Sequence, residues 1–215
     1  MKIRILFLIA IFCVVSLSCQ LLTSKSSMFE SGDLLYKDGF SDPRSGWDRV
    51  QKQEYLADYA GGVYRIKVSE PNVDVWANPG FSFDNVIVEV DATKVGGPDD
   101  NNFGVICRSD QDAHRFYYFV ISSDGYYGIG KVKDDMQVLL GWDSMQPSEH
   151  IRQGYALNHI RADCVDNRLA LYVNGEKILE IKDDSYISGD VGMIAGSFDI
   201  PGVDIYFDNF LVLKP

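Results

Sequence analysis

Phe116-Tyr117-Tyr118-Phe119-Val120-Ile121 runs into Ser122-Ser123-Asp124-Gly125, and Tyr126-Tyr127-Gly128-Ile129-Gly130 follows. Six aromatic and β-branched residues in a row form a strand, and Asp124-Gly125 supplies the positive φ angles of a tight hairpin turn. The run is apolar on both faces. It therefore predicts a mid-sheet strand with one face in the core and the other in a partly covered groove. Alternation gives Tyr117, Phe119 and Ile121 to the core and turns Tyr118 to the opposite face.

The same grammar extends in both directions. Val86-Ile87-Val88-Glu89-Val90-Asp91 alternates strictly, burying one face and wetting the other. Runs rich in Val, Ile, Tyr and Phe cover 54–59, 63–69, 73–77, 83–95, 103–108, 115–122, 126–132, 137–142, 158–165, 169–173, 177–181, 191–198 and 203–213. Asn174-Gly175 and Asp166-Asn167 mark further hairpins, and Pro71, Pro98 and Pro147 fall between runs. The best helical window, 147–154, is short. Closely spaced antiparallel strands in this number predict an all-β sandwich or barrel.

Composition narrows the function. Twenty Lys and Arg stand against 31 Asp and Glu, for a formal charge of −11. The longest basic cluster is Lys131-Val132-Lys133, which argues against nucleic acid and anionic membrane surfaces as partners. With 46% hydrophobic and 13% aromatic residues the chain has material for a core.

The amino terminus is a targeting segment. Lys2 and Arg4 precede an apolar run from Ile5 to Val15, then small residues and Cys19, the layout of a secretory signal. Val15-Ser16-Leu17-Ser18-Cys19 resembles the lipobox of bacterial lipoproteins, with Ser16 where leucine is usual. The resemblance implies removal of 1–18 and a diacylglycerol on Cys19. The alternatives are an ordinary secretory signal cut nearby or an uncleaved anchor. Residues 19–33 then form the lipidated cysteine and a Ser-rich tether, and 34–215 form the domain. The expected location is extracytoplasmic, with the membrane reached only through the lipid.

Cys107 and Cys164 remain. Cys107 shares a face with Phe103 and Val105, and Cys164 with Ile160 and Ala162, both inward by alternation. Outside the cytoplasm two such thiols pair as a disulfide or stay as small buried apolar residues. No CxxC or neighbouring His completes a zinc set.

Tyr36-Lys37-Asp38-Gly39-Phe40-Ser41-Asp42-Pro43-Arg44-Ser45-Gly46-Trp47 resembles the opening strand and tryptophan loop of concanavalin A-like jelly-roll domains, including the laminin G-like modules of bacterial lipoproteins. Gly104 to Arg108 with Phe116 to Gly125 resembles their central hairpin, Leu169 to Gly175 their strand–Asn-Gly–strand unit, and Tyr206-Phe207-Asp208-Asn209-Phe210 their closing strand. The resemblance spans 35–215 and implies two packed, curved sheets, glycan binding on the concave one in many members, glycoside hydrolysis in some, and a structural calcium between first and last strands in many. Trp47 is read as a structural plug.

Each implied activity has its candidates. Glucanases of this fold carry Glu-x-Asp-x-x-Glu or Glu-x-Asp-x-Glu; here Glu89 and Asp91 share a face but Thr93 or Lys94 stands where the second glutamate belongs. The expected reading of that string is a solvated strand face, and no catalytic residue is assigned. There is no Gly-x-Ser-x-Gly elbow, His114, His150 and His159 are scattered, and Gly128-Ile129-Gly130 lacks the rest of a dinucleotide fingerprint. Asp38, Asp42 and Asp208 are the calcium candidates, the sole cofactor expected. The loop Gly96-Gly97-Pro98-Asp99-Asp100-Asn101-Asn102 is read as a solvated acidic turn. For a glycan or cell-wall polysaccharide, stacking rings and nearby polar groups are needed. Alternation puts Arg108 and Tyr118 in one groove, with Trp76, Tyr126 and Trp142 as walls. The resulting expectation is a non-catalytic, carbohydrate-binding surface lipoprotein; the alternatives are a glycoside hydrolase and a protein-binding adhesion module.

Overall fold

The computed structural model describes residues 32–112 and 114–215. The signal segment, Cys19 and most of the tether lie outside the described residues. The first strands are β1 (Leu34–Asp38), β2 (Val50–Gln51), β3 (Tyr55–Tyr59), β4 (Tyr64–Val68), β5 (Val73–Ala77) and β6 (Val86–Gly96). The central group is β7 (Asn101–Asp110), β8 (Arg115–Ile121), β9 (Tyr126–Lys133), β10 (Met136–Leu139) and β11 (Gln146–Pro147). The last are β12 (Leu157–Val165), β13 (Arg168–Val173), β14 (Glu176–Lys182), β15 (Asp190–Ser197) and β16 (Val203–Leu213). No helix occurs among the described residues: 147–154 is the end of β11 followed by turns.

The strands make two antiparallel sheets. The nine-stranded sheet runs β14-β13-β12-β6-β16-β4-β3-β2, with β1 also paired to β16. The seven-stranded sheet runs β10-β9-β8-β7-β15-β5, with β11 also paired to β9. Neighbours far apart in sequence, such as β6 beside β16 and β7 beside β15, are the crossovers of a jelly roll. Tight turns follow the local chemistry: Asn174 and Gly175 adopt φ 53° and 92° between β13 and β14. Pro147 sits in β11, which pairs only with β9, so its missing donor costs no ladder bond.

Alternation builds the core. Val86, Val88, Val90 and Ala92 of β6 face Phe103, Val105 and Cys107 of β7 and Tyr117, Phe119 and Ile121 of β8 within one buried cluster. A disulfide joins Cys107 to Cys164, tying β7 in one sheet to β12 in the other across that core. Trp47 closes one end. Its indole packs edge-on to Phe210 at 4.8 Å, and its Nε1 donates to Asp38 Oδ2 at 3.0 Å and Tyr36 Oη at 3.1 Å.

Candidate functional site

A second apolar cluster lies outside the main core. Ile106, Phe116, Tyr118, Val120, Val132 and Ile194 are buried on the outward face of the seven-stranded sheet, with Leu139 and Met145 packed against them. β10 and β11 both pair with β9 at the sheet edge, and Leu139 of β10 and Met145 just before β11 pack against the cluster. Glycines make the room. Tyr118 stands opposite Gly130 in the β8–β9 ladder, and a Cβ on Gly130 would lie 2.1 Å from Tyr118 Oη. A Cβ on Gly128 would lie 2.8 Å from Leu139 Cδ2. The Gly-x-Gly spacing that is no cofactor fingerprint is therefore a seat for a ring and a leucine.

Beside this cluster opens a groove of about 620 Å³, lined among others by Asp74, Asp100, Asn102, Tyr118, Asp124 and Tyr126. Asn102 Nδ2 donates to Asp74 Oδ1 at 2.8 Å, and Gln137 Nε2 donates to Asp74 Oδ2. The amide donors come from β7 and β10, so one carboxylate ties the two sides of the groove. Gly196 is needed beneath it, since a Cβ there would lie 1.5 Å from Asp74 Oδ1. The hairpin end is equally ordered. Ser122 Oγ donates to Asp124 Oδ1 and accepts from Tyr126 N at 2.9 Å, while Asn101 Nδ2 donates to Ser123 Oγ at 3.0 Å.

The groove is electronegative: three aspartates and no Lys, Arg or His line it. Burial pushes the Asp100 carboxyl above its ordinary value, and the charges of Asp124 and Asp199 add to the rise. Burial also raises the Tyr118 hydroxyl, with the Asp74 charge second, so it stays protonated.

Asp74 also borders a second groove, of about 530 Å³. Trp76, Ser109, His114, Arg115 and Phe116 line it. The Trp76 indole is 37% exposed and its ring centre lies 5.1 Å from that of Phe116. Ser109 Oγ is buried there with no hydrogen-bond partner. The two grooves share Asp74 as a lining residue.

The structure brings Tyr118 and Tyr126 to the first groove and Trp76 to the second. Trp142 lines neither groove; it is exposed on the loop that delivers Ser144 and Met145 to the first one. Arg108 is a correction. The β7 ladder slips between Cys107 and Asp110, and Arg108 adopts φ 54°, so alternation fails one residue after the disulfide. Its side chain turns away from the groove and is 1% exposed. The guanidinium donates to the carbonyls of Tyr186 (2.8 Å), Asp84 (3.3 Å) and Cys164 (3.4 Å) and to Asn85 Oδ1 (3.3 Å).

The calcium candidates each have partners within the fold. Asp38, Asp42 and Asp208 do not gather, and no group of three or more His, Cys, Asp or Glu among the described residues fits a metal ion. Asp38 is claimed by Trp47, Tyr36, Ser45 and the Phe40 amide. Asp42 accepts from Arg44 and Asp208 from the Asn209 amide. Glu89 and Asp91 lie on the outward face of the other sheet. There Asp91 Oδ1 meets His159 Nδ1 at 2.8 Å, Asp91 Oδ2 accepts from Asn209 at 2.9 Å, and Glu89 approaches Arg161 at 3.8 Å.

Sequence reasoning missed Asp74, Asn102 and Gln137. The one local signal is Val73-Asp74-Val75-Trp76, which puts Asp74 on the face of Trp76. The supposed solvated loop divides its labour: Asp99 pairs with the buried Lys94 ammonium, and Asp100 turns into the groove.

No family model matches the sequence, and no curated protein matches it. The solved structures do. A carbohydrate-binding module, CBM66 from Bacillus subtilis, superposes with a TM-score of 0.63 at 16% identity, covering 79% of this chain and 96% of that one. A protein of unknown function with a galectin-like fold from the same organism gives 0.64 at 11% identity over 86% and 97%. A β-glucanase from Bacillus licheniformis gives 0.55 at 11% identity over 84% and 98%. At these identities the likeness is one of fold: the domain is a concanavalin A-like jelly-roll sandwich.

Proposed function

We propose that this chain is a non-catalytic carbohydrate-recognition protein held outside the cytoplasm by a lipid on Cys19. The observation that carries the reading is this pair of grooves. The Tyr126 ring lines the first and the exposed Trp76 ring the second, Asp74 borders both, and Asn102 and Gln137 hold its carboxylate in place. Sugars present C–H faces and hydroxyl edges in that combination. The fold neighbours include a carbohydrate-binding module, in keeping with the reading.

Hydrolysis would need one carboxyl to deliver a proton and a second to act across the scissile bond. Both oxygens of Asp74 already accept amide hydrogens, which suits holding rather than proton delivery. Glu89 and Asp91 face the opposite side of the sandwich. A screen of the purified protein against immobilised glycans and cell-wall polysaccharides tests the proposal, with Trp76→Ala and Tyr126→Ala beside it. Binding that drops several-fold in each variant, with no release of reducing ends, supports it. Undiminished binding in both variants, or steady release of reducing ends, overturns it. Mass spectrometry of the mature protein tests the anchor: an unmodified Cys19 removes it.

A further inference from the structure

The first groove carries a charge pattern that a neutral sugar does not need. Asp74, Asp100 and Asp124 line it without a cation, and Asp199 adds its field at Asp100. Three partly buried acids elsewhere are paired with cations: Asp183 with Lys131 at 2.6 Å, Asp204 with Arg65 at 2.5 Å, Asp58 with Arg49 at 2.6 Å. A second feature points independently to a ligand. Tyr118 is 5% exposed, lines the groove, and its Oη makes no hydrogen bond to the described residues. The ring is buried while its hydroxyl stays reachable from the groove, so a ligand oxygen there would give it a partner.

Taking the glycan reading as its basis, we propose that this groove selects sugars bearing free amino groups, of the glucosamine type, over N-acetylated, neutral or acidic ones. An ammonium within the aspartate cluster supplies the missing countercharge, and the neighbouring ring oxygen or hydroxyl meets Tyr118 Oη. N-Acetylation removes the charge and adds bulk, and a uronic acid brings a like charge into a partly buried acidic site. A divalent metal is a poorer answer, because the acids do not converge on one point.

The test is calorimetric titration of the full-length protein in mild detergent with three hexasaccharides: glucosamine, N-acetylglucosamine and glucose, at pH 6.5 and low and high salt. The glucosamine hexamer is expected to bind at least tenfold tighter than the other two at low salt, with the preference shrinking as salt rises. Asp100→Asn with Asp124→Asn should erase the preference, and a parent-like melting temperature shows that the variant is folded. Glu176→Gln with Glu180→Gln, on β14 in the other sheet, removes the same charge and should retain the preference. Equal or tighter binding of a neutral oligomer overturns the inference and leaves the glycan reading standing. Equal loss in the β14 variant reduces the preference to general attraction and also overturns it. If none of the three binds, this inference falls, and a negative outcome of the wider glycan screen then takes the glycan reading with it.

Discussion

Removing the Cys107–Cys164 bridge by the double substitution Cys107→Ala, Cys164→Ala perturbs the fold where its two sheets are stapled. The half-cystines are fully buried and 57 residues apart. Closing a loop of that length in the unfolded chain is worth about 4 kcal/mol on the chain-entropy model. The segment between them contains β7's last residues, the hairpin to β8, β9, β10 and β11 and most of β12, so the bridge constrains the strands that build the groove. For a domain of this size each kcal/mol moves the melting temperature by roughly 2–4 °C, and the expected drop is therefore roughly 8–16 °C. The assay is calorimetric melting of parent and variant at neutral pH. The parent should also resist reduction until it is heated or given denaturant, because no thiolate reaches buried sulfur. A variant melting within about 2 °C of the parent, a small fraction of the shift worked out above, would refute the reasoning, as would rapid reduction of the native parent.

Other outcomes follow from particular contacts. Gly130→Ala drives a methyl into Tyr118, so the ring must leave its seat; glycan binding should fall at least tenfold while stability drops by about 1–3 kcal/mol, read by titration and urea unfolding. Arg108→Met strips the hydrogen bonds from three carbonyls and should cost more than about 3 kcal/mol, yet leave glycan affinity of the folded fraction unchanged. His159 is held above the usual imidazole range by the Glu89 carboxylate 3.7 Å away and by its hydrogen bond with Asp91, against the opposing effect of burial, with Arg161 and Asn209 facing the same carboxylates. Its folded pKa exceeds its unfolded one, so the stabilisation is complete below about pH 6.5 and is lost as pH rises through the folded value. The stability gap between parent and His159→Gln should therefore narrow between pH 6 and pH 9 in urea titrations; a gap that widens contradicts the ion-pair geometry.

Much of the architecture is legible in the sequence because period-two burial is enforced residue by residue. Tyr117 and Tyr118 are neighbours of one type, and alternation alone sends the first to the core and the second to the groove. Arg108 shows where that logic stops. A bulge leaves composition unchanged but reverses a side chain, and only the ladder slip between Cys107 and Asp110 reveals it. Asp38 shows another limit: the indole that donates to it lies nine residues away, across a turn whose geometry the sequence does not specify. The groove acids arrive from β5, from the β6–β7 loop and from the β8–β9 turn, three segments related only by sheet order. Adjacent Asp99 and Asp100 have identical local chemistry and opposite employment, one beside Lys94 and the other in the first groove.

The most direct test of the central claim, that the outward face of the seven-stranded sheet is the binding surface, is an amide NMR titration with whichever glycan binds in the screen. The account predicts the largest shifts at Asp74, Asn102, Tyr118, Asp124 and Tyr126, and none beyond noise at Glu89, Asp91 and His159. Saturable shifts centred on the Glu89–His159 face, with the groove amides unmoved, would contradict it.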